Sequence, residues 1–363
     1  MAFTKRQITL LTLGCAILLL TALVGSSLAF RSHRVFASSS KFNAPGNVLI
    51  SDQFNNRVIE VDRQHNIVWS FGSGSPTLCN PGPGAIIGLN DAERLSGGLT
   101  LLAGTGIPPS TPESSIPAGC ADNRVIVVNQ AGQIVWQYGK AGVTGSGFNQ
   151  LNTPVFAIQL PNHNFMIVDQ VNERVIEVNK SSKKIVWQYG QTGVTGSGFN
   201  QLNNPNSAEL LPNGHILIAD ENNNRVIEVT RDHQIFWQYS QGLSAAAFAS
   251  RLPNGDTLIT DSNNSRIVEI NQAKQVVFQY FTNTAPNSNA MPLPTNAVRL
   301  ANGNTCIADQ FNDRAFIIDS NKATKFQYGM TNMDGTGHDL LNSPYTAFVI
   351  GDYTGQTPPP QVF

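Results

Sequence analysis

The sequence predicts an all-β chain folded as a six-bladed β-propeller, each blade a sheet of four antiparallel strands. Three observations carry this. Two segments, running from Trp136 to Pro154 and from Trp187 to Pro205, are nearly identical and offset by 51 positions, a period in the range of propellers and solenoids. One aromatic recurs in an Ile/Val-rich run of every unit, at Trp69, Trp136, Trp187, Trp237, Phe278 and Phe326, and takes up all four tryptophans of the chain. An arginine opens a β-branched run in every unit, at Arg57, Arg124, Arg174, Arg225, Arg266 and Arg314.

The unit around Arg225 shows the elements in order. Asn206 to Leu211 is a short strand, and Pro212-Asn213-Gly214 is a tight turn that uses proline for a fixed φ and glycine for a positive one. His215 to Asp220, Arg225 to Thr230 and Gln234 to Tyr239 read as three further strands, β-branched and bounded by Gly, Asn and Asp. Four such strands in 40–50 residues make a propeller blade. The first unit enters at its second strand, Asn47 to Asp52, and the chain ends with an unmatched first strand, Ser343 to Ile350. Alanine stands in register on all six first strands, at Ala92, Ala157, Ala208, Ala249, Ala297 and Ala347, as crowding around a narrow axis requires. The last strand is therefore expected to complete the first blade and leave no open edge.

Around this ring, residues 47–350, the chain divides simply. Residues 1–30 carry Lys5 and Arg6, an uncharged apolar run and small residues at Ser27 and Ala29. That is the layout of a secretory signal peptide, with an uncleaved membrane anchor as the rival reading. Residues 31–46 read as a linker and 351–363 as a proline-rich tail. Either reading of the leader makes the ring extracytoplasmic, secreted or tethered to the membrane by that segment alone. Charge is sparse and balanced, 23 basic against 24 acidic residues, which argues against a nucleic-acid partner.

The repeat resembles the NHL repeat: an Asp, an Asn three residues on, an Arg two beyond it and then a hydrophobic strand. The Asp–Asn pairs are Asp52 and Asn55, Asp169 and Asn172, Asp220 and Asn223, Asp261 and Asn264, Asp309 and Asn312; the unit of Arg124 lacks the Asp and has Gly104 there. The resemblance spans about residues 47–350. Turns such as Leu211 to Gly214 and Leu252 to Gly255 also resemble those of arylsulfotransferase-like and quinone-dehydrogenase-like propellers, although the latter usually carry eight blades. What the resemblance implies is a fold, since propellers host many activities. Related propellers hold a channel metal with histidines, but none of the six histidines here falls on a first strand. Gluconolactonase-like propellers hold calcium with Asn, Asp and Glu, and that option stays open.

The Asp, Asn and Arg of the repeat read as scaffold, the Asp capping the turn that follows and the Arg reaching a carboxylate bidentately. The recurrent aromatic reads as packing between blades. Departures from the repeat are the candidate functional features. The second blade carries an insertion, Thr105 to Cys120, with four prolines, in a position suited to recognition. Cys79 and Cys120 fall on that same face and are expected to form a disulfide in an oxidising compartment, while Cys306 reads as a buried thiol. Gly142 to Gly147 and Gly193 to Gly198 precede no helix and read as blade connections, not phosphate loops. At the channel mouth, Asn90, Asp91, Asn206, Ser207, Asn296 and Thr346, with Glu93 and Glu209 further along, offer oxygen ligands suited to Ca²⁺. The expectation is a monomeric, non-catalytic module that binds a protein or small molecule on the face of the 105–120 loop. The alternative is a Ca²⁺-dependent hydrolase or lactonase working through Asn90, Asp91, Asn206, Asn296 and Glu209.

Overall fold

The computed structural model describes residues 41–352. The expected leader and most of the tail lie outside the described residues. Six four-stranded sheets stand around one axis. Blade 1 contains β1 (Val48–Asp52), β2 (Arg57–Val61) and β3 (Ile67–Gly72), and blade 2 contains β4 (Leu89–Arg94), β5 (Thr100–Gly104), β6 (Arg124–Val128) and β7 (Ile134–Gly139). Blade 3 runs through β8 (Pro154–Gln159), β9 (Phe165–Asp169), β10 (Arg174–Val178) and β11 (Ile185–Tyr189). Blade 4 has β12 (Pro205–Leu210), β13 (Ile216–Asp220), β14 (Arg225–Val229) and β15 (Ile235–Tyr239). Blade 5 has β16 (Ala246–Arg251), β17 (Thr257–Asp261), β18 (Arg266–Ile270) and β19 (Val276–Phe281). Blade 6 has β20 (Pro294–Arg299), β21 (Thr305–Asp309), β22 (Arg314–Ile318) and β23 (Thr324–Tyr328), and β24 (Pro344–Val349) returns to blade 1. There it pairs antiparallel with β1, Val48 opposite Val349 and Ile50 opposite Ala347, so the ring is closed by strands from both ends of the chain.

Second and third strands are buried along nearly their whole length because both faces of each blade are covered by its neighbours, as β13 and β14 are at every position; the charged residues they carry, the opening Arg and the Glu of β14 among them, are ion-paired. Fourth strands lie on the perimeter and are half exposed. Every first strand carries a bulge at its second residue, where the pairing register shifts. The six register alanines are all buried.

The repeat Asp does not cap the turn after it. Its carboxylate instead gathers three other donors. In blade 4, Asp220 Oδ2 accepts from Asn223 Nδ2 at 2.8 Å and Arg225 Nε at 2.6 Å, and Oδ1 accepts the amide of Asn203 at 2.8 Å. Arg57, Arg174, Arg266 and Arg314 likewise reach Oδ2 of their aspartates side-on through Nε, Arg314 with Nη2 on the same oxygen at 2.8 Å, so these pairs use one carboxylate oxygen. The two-oxygen fork forms in blade 2, where Arg124 Nε and Nη2 meet Oδ1 and Oδ2 of Asp122. In blade 6, Pro292 stands where the other blades offer that entering amide. Proline has no N–H, and Asp309 Oδ1 receives no entering amide. Blade 2 solves the missing Asp differently. Asp122 reaches Arg124 and also accepts the Ile87 amide at 2.7 Å. A Cβ at position 104 would stand 2.8 Å from the Asp122 carboxyl carbon, so Gly104 makes room for the substitute carboxylate.

The residue just before each arginine has positive φ, at Asn56, Asn123, Glu173, Asn224, Ser265 and Asp313. In five blades its side chain accepts the amide that opens the next blade, as Asn56 does from Gly88 at 2.8 Å and Asp313 from Ser343 at 3.0 Å. The aromatics also bridge blades. Trp69, Trp136 and Trp187 each donate Nε1 to a carbonyl of the following blade. A guanidinium lies over four of the six rings, Arg94 on Trp69, Arg231 on Trp187, Arg251 on Trp237 and Arg299 on Phe278, each paired with a glutamate.

Candidate functional site

The connections from second to third strands and the entries to first strands emerge on one face. The residue after each repeat Asp, or after Gly104, rims the channel there: Gln53, Thr105, Gln170, Glu221, Ser262 and Gln310. The second residues of the first strands, among them Asn90, Asn206 and Tyr345, lie beside them. Gln310 donates to Gln53 at 2.8 Å, and Gln53 to Asn90 at 2.8 Å. Tyr345 reaches from blade 1 to the opposite blade, where its Oη accepts from Asn206 Nδ2 at 2.8 Å. Asn206 Nδ2 also donates to Glu221 Oε2 at 2.8 Å, and Gln170 approaches the same oxygen at 3.5 Å. Tyr345, Asn206 and Glu221 thus form a bar across the mouth. Burial pushes the Glu221 carboxyl up to about 7 in spite of the Asn206 bond, and pushes the Tyr345 hydroxyl up as well. A carboxyl poised there can donate or accept a hydrogen bond near neutral pH.

One residue deeper the side chains serve the ring itself. Amides of the register alanines point toward the preceding blade and are met by Thr346, Asp91, Ser207 and Asn296, as Ala157 N meets Asp91 Oδ2 at 3.0 Å. Where Phe156 and Phe248 replace such polar groups they pack edge to face at 5.7 Å. With Ile158, Val298 and Phe348, also on first strands, they belong to one buried apolar cluster. Burial raises Asp91 and Glu93 well above the usual carboxylate range, Glu93 further through the charge of Asp91. Glu209 accepts the Arg251 amide at 2.9 Å.

The expected ligand set is therefore divided. Asn90 and Asn206 sit in the mouth network, while Asp91, Asn296 and Glu209 are spent at least in part on links between blades. Among the described residues no group of three His, Cys, Asp or Glu side chains is arranged to hold a metal ion. His65, His163, His215, His233 and His338 all lie off the first strands. Glu221, Tyr345, Gln170, Gln53 and Gln310 were not singled out from the sequence. All but Tyr345 carry a signal: residue identity varies directly after the repeat Asp, which only Gly104 interrupts.

The inserted loop stands over the same face and is a fixed wall. Cys79 and Cys120 form a disulfide with Cα atoms 5.5 Å apart, and Ile107 and Cys120 exchange both backbone hydrogen bonds. Ile107, Ile116 and Cys120 pack with Phe54 and Ile87 in a small core of their own. Between this loop and blade 3 lies a cleft of about 620 Å³, lined by Ile107, Pro108, Asn123, Asn152, Gln170 and Val171 among others. Gln170 joins the cleft to Glu221. Cys306 is a buried free thiol, pushed up to about 12 by burial.

No protein-family model matches the chain and no curated protein matches it. Solved structures do match. A protein of unknown function from Bacteroides caccae is 15% identical, with 78% of this chain and 93% of that one covered at a TM-score of 0.56. A streptogramin B lyase structure is 12% identical, with 81% and 82% covered at a TM-score of 0.51. At these identities the likeness is one of fold.

Proposed function

We propose that this chain is an extracytoplasmic binding module built on NHL-type repeats, taking a neutral, hydrogen-bonding ligand such as a peptide segment or an oligosaccharide. The observation that carries the reading is the cleft of about 620 Å³ between the disulfide-held loop and blade 3, running through Gln170 to Glu221 and Asn206. Its lining mixes apolar surface from Ile107, Pro108, Pro109 and Val171 with the amides of Asn123, Asn152, Gln170 and Asn204. Amides both donate and accept, which suits peptide or sugar groups better than a bare ion. The disulfide favours an oxidising compartment.

The test is a thermal-shift panel of neutral peptides and oligosaccharides, run beside turnover assays on lactones and esters with calcium present. A ligand that raises the melting temperature should lose its effect in Val171→Trp, which fills the cleft from a side chain 47% exposed and so spares the core. Calcium-dependent turnover of a lactone or ester would replace the binding reading with the hydrolase one.

A further inference from the structure

We infer that the face opposite the cleft docks on a bilayer of anionic lipid. That face carries the turns between third and fourth strands; of the eight lysines among the described residues five lie in them, and a sixth, Lys325, is the second residue of β23 just beyond. Lys180, Lys183 and Lys184 crowd one turn of blade 3, Lys274 lies in blade 5, and Lys322 and Lys325 lie in blade 6. Lys325 is held by Asp319 at 2.8 Å. The other five form no ion pair with a described carboxylate; Lys274 and Lys322 rest over Trp237 and Phe278.

Directly after these turns the fourth strands open with exposed apolar pairs. Val186 is 56% exposed, Phe236 67% and Val277 53%, next to the less exposed Ile185, Ile235 and Val276. Apolar side chains that enter the headgroup layer beside lysines that reach phosphates are the two elements of interfacial binding. Asp232 and Asp256 lie on this face too, so the positive excess is modest and the apolar side chains carry part of the binding. The chain also enters the ring here: Phe42 packs on Trp69 at 5.8 Å, under Arg94 and against Gly98 of the β4–β5 turn. On the cleft face, by contrast, Glu113 and Asp334 crowd Asp313, a combination that repels phosphate. Docking in this orientation turns the cleft away from the bilayer.

The unit from Ser40 onward closes its ring with its own strands and is the protein to use. It is sedimented with vesicles of phosphatidylglycerol and phosphatidylcholine in equal parts, and with vesicles of phosphatidylcholine alone. The inference expects binding to the anionic vesicles only, lost at high salt. Binding should weaken about tenfold or more in the triple variant K180Q/K183Q/K184Q and fall in V186S/F236S, with K140Q on the other face unchanged. All of these side chains except the partly covered Lys183 are exposed, and unchanged melting temperatures confirm intact folds. No binding to anionic vesicles, equal binding to phosphatidylcholine, or an inert triple variant would overturn it. So would equal capture by soluble polyphosphate with V186S/F236S without effect, which would mark a polyanion site instead.

Discussion

Gly104 and Asp122 show how a single position can be vacated and its chemistry supplied from elsewhere. The repeat Asp serves an Asn, an Arg and an entering amide; with glycine in its place, Asp122 reaches in from the far end of the insertion and meets Arg124 and Ile87. Both partners of this pair are buried, so removing one leaves an uncompensated charge. Asp122→Ala is expected to cost about 3–5 kcal/mol, read from chemical denaturation. Gly104→Ala, which drives a Cβ against the same carboxylate, should cost about 1–3 kcal/mol. A change below about 0.5 kcal/mol for Asp122→Ala would mean that Arg124 needs no such partner. The role of Asp122 was hidden in the sequence because it stands 18 positions from the residue it replaces, across an insertion that breaks the repeat register.

At the scale of elements, ring closure rests on β24. It covers β1, whose amides would otherwise form an open edge. A chain ending before Ser343 should therefore lose cooperative unfolding and appear as aggregate in size-exclusion chromatography; a monomeric, cooperatively folding truncation would show that five complete blades and three strands suffice. Blade count, closure, the register alanines and the disulfide were all legible, because each follows from periodicity or from which end of a strand a residue occupies. The mouth was legible only in part. Asn90 and Asn206 could be placed from strand position, but their partners Tyr345 and Glu221 come from blades 1 and 4, and which side chains meet across an axis is set by ring geometry. Strand position predicts a common site for Asp91, Asn296 and Glu209 because it gives depth and not direction; their carboxylate and amide groups turn to neighbouring amides instead.

For the whole molecule, buried acids set an unusual pH response. Glu221 and Asp313 are raised to about 7 and Asp309 to about 6, each mainly by burial, from ordinary values of 4.5 for Glu and 3.8 for Asp. Between about pH 4 and 7 the folded chain thus holds protons that the unfolded chain has released, so stability falls as pH rises through that window. The melting temperature should be higher near pH 5 than near pH 8, the difference amounting to a few kcal/mol at most after solvent screening; the reverse order would show these carboxyls to be ionised in the fold. The same ring presents a cleft on one face and a lysine-bearing, apolar rim on the other, so the proposed ligand capture and the proposed bilayer docking use separate faces. Whether the proposed capture happens in the cleft is read from the hydrogen-exchange footprint of the first ligand found. Slowed exchange confined to residues 105–121, 152–171 and 204–206 is the result expected, whereas protection on the lysine face, with these segments unchanged, would contradict it.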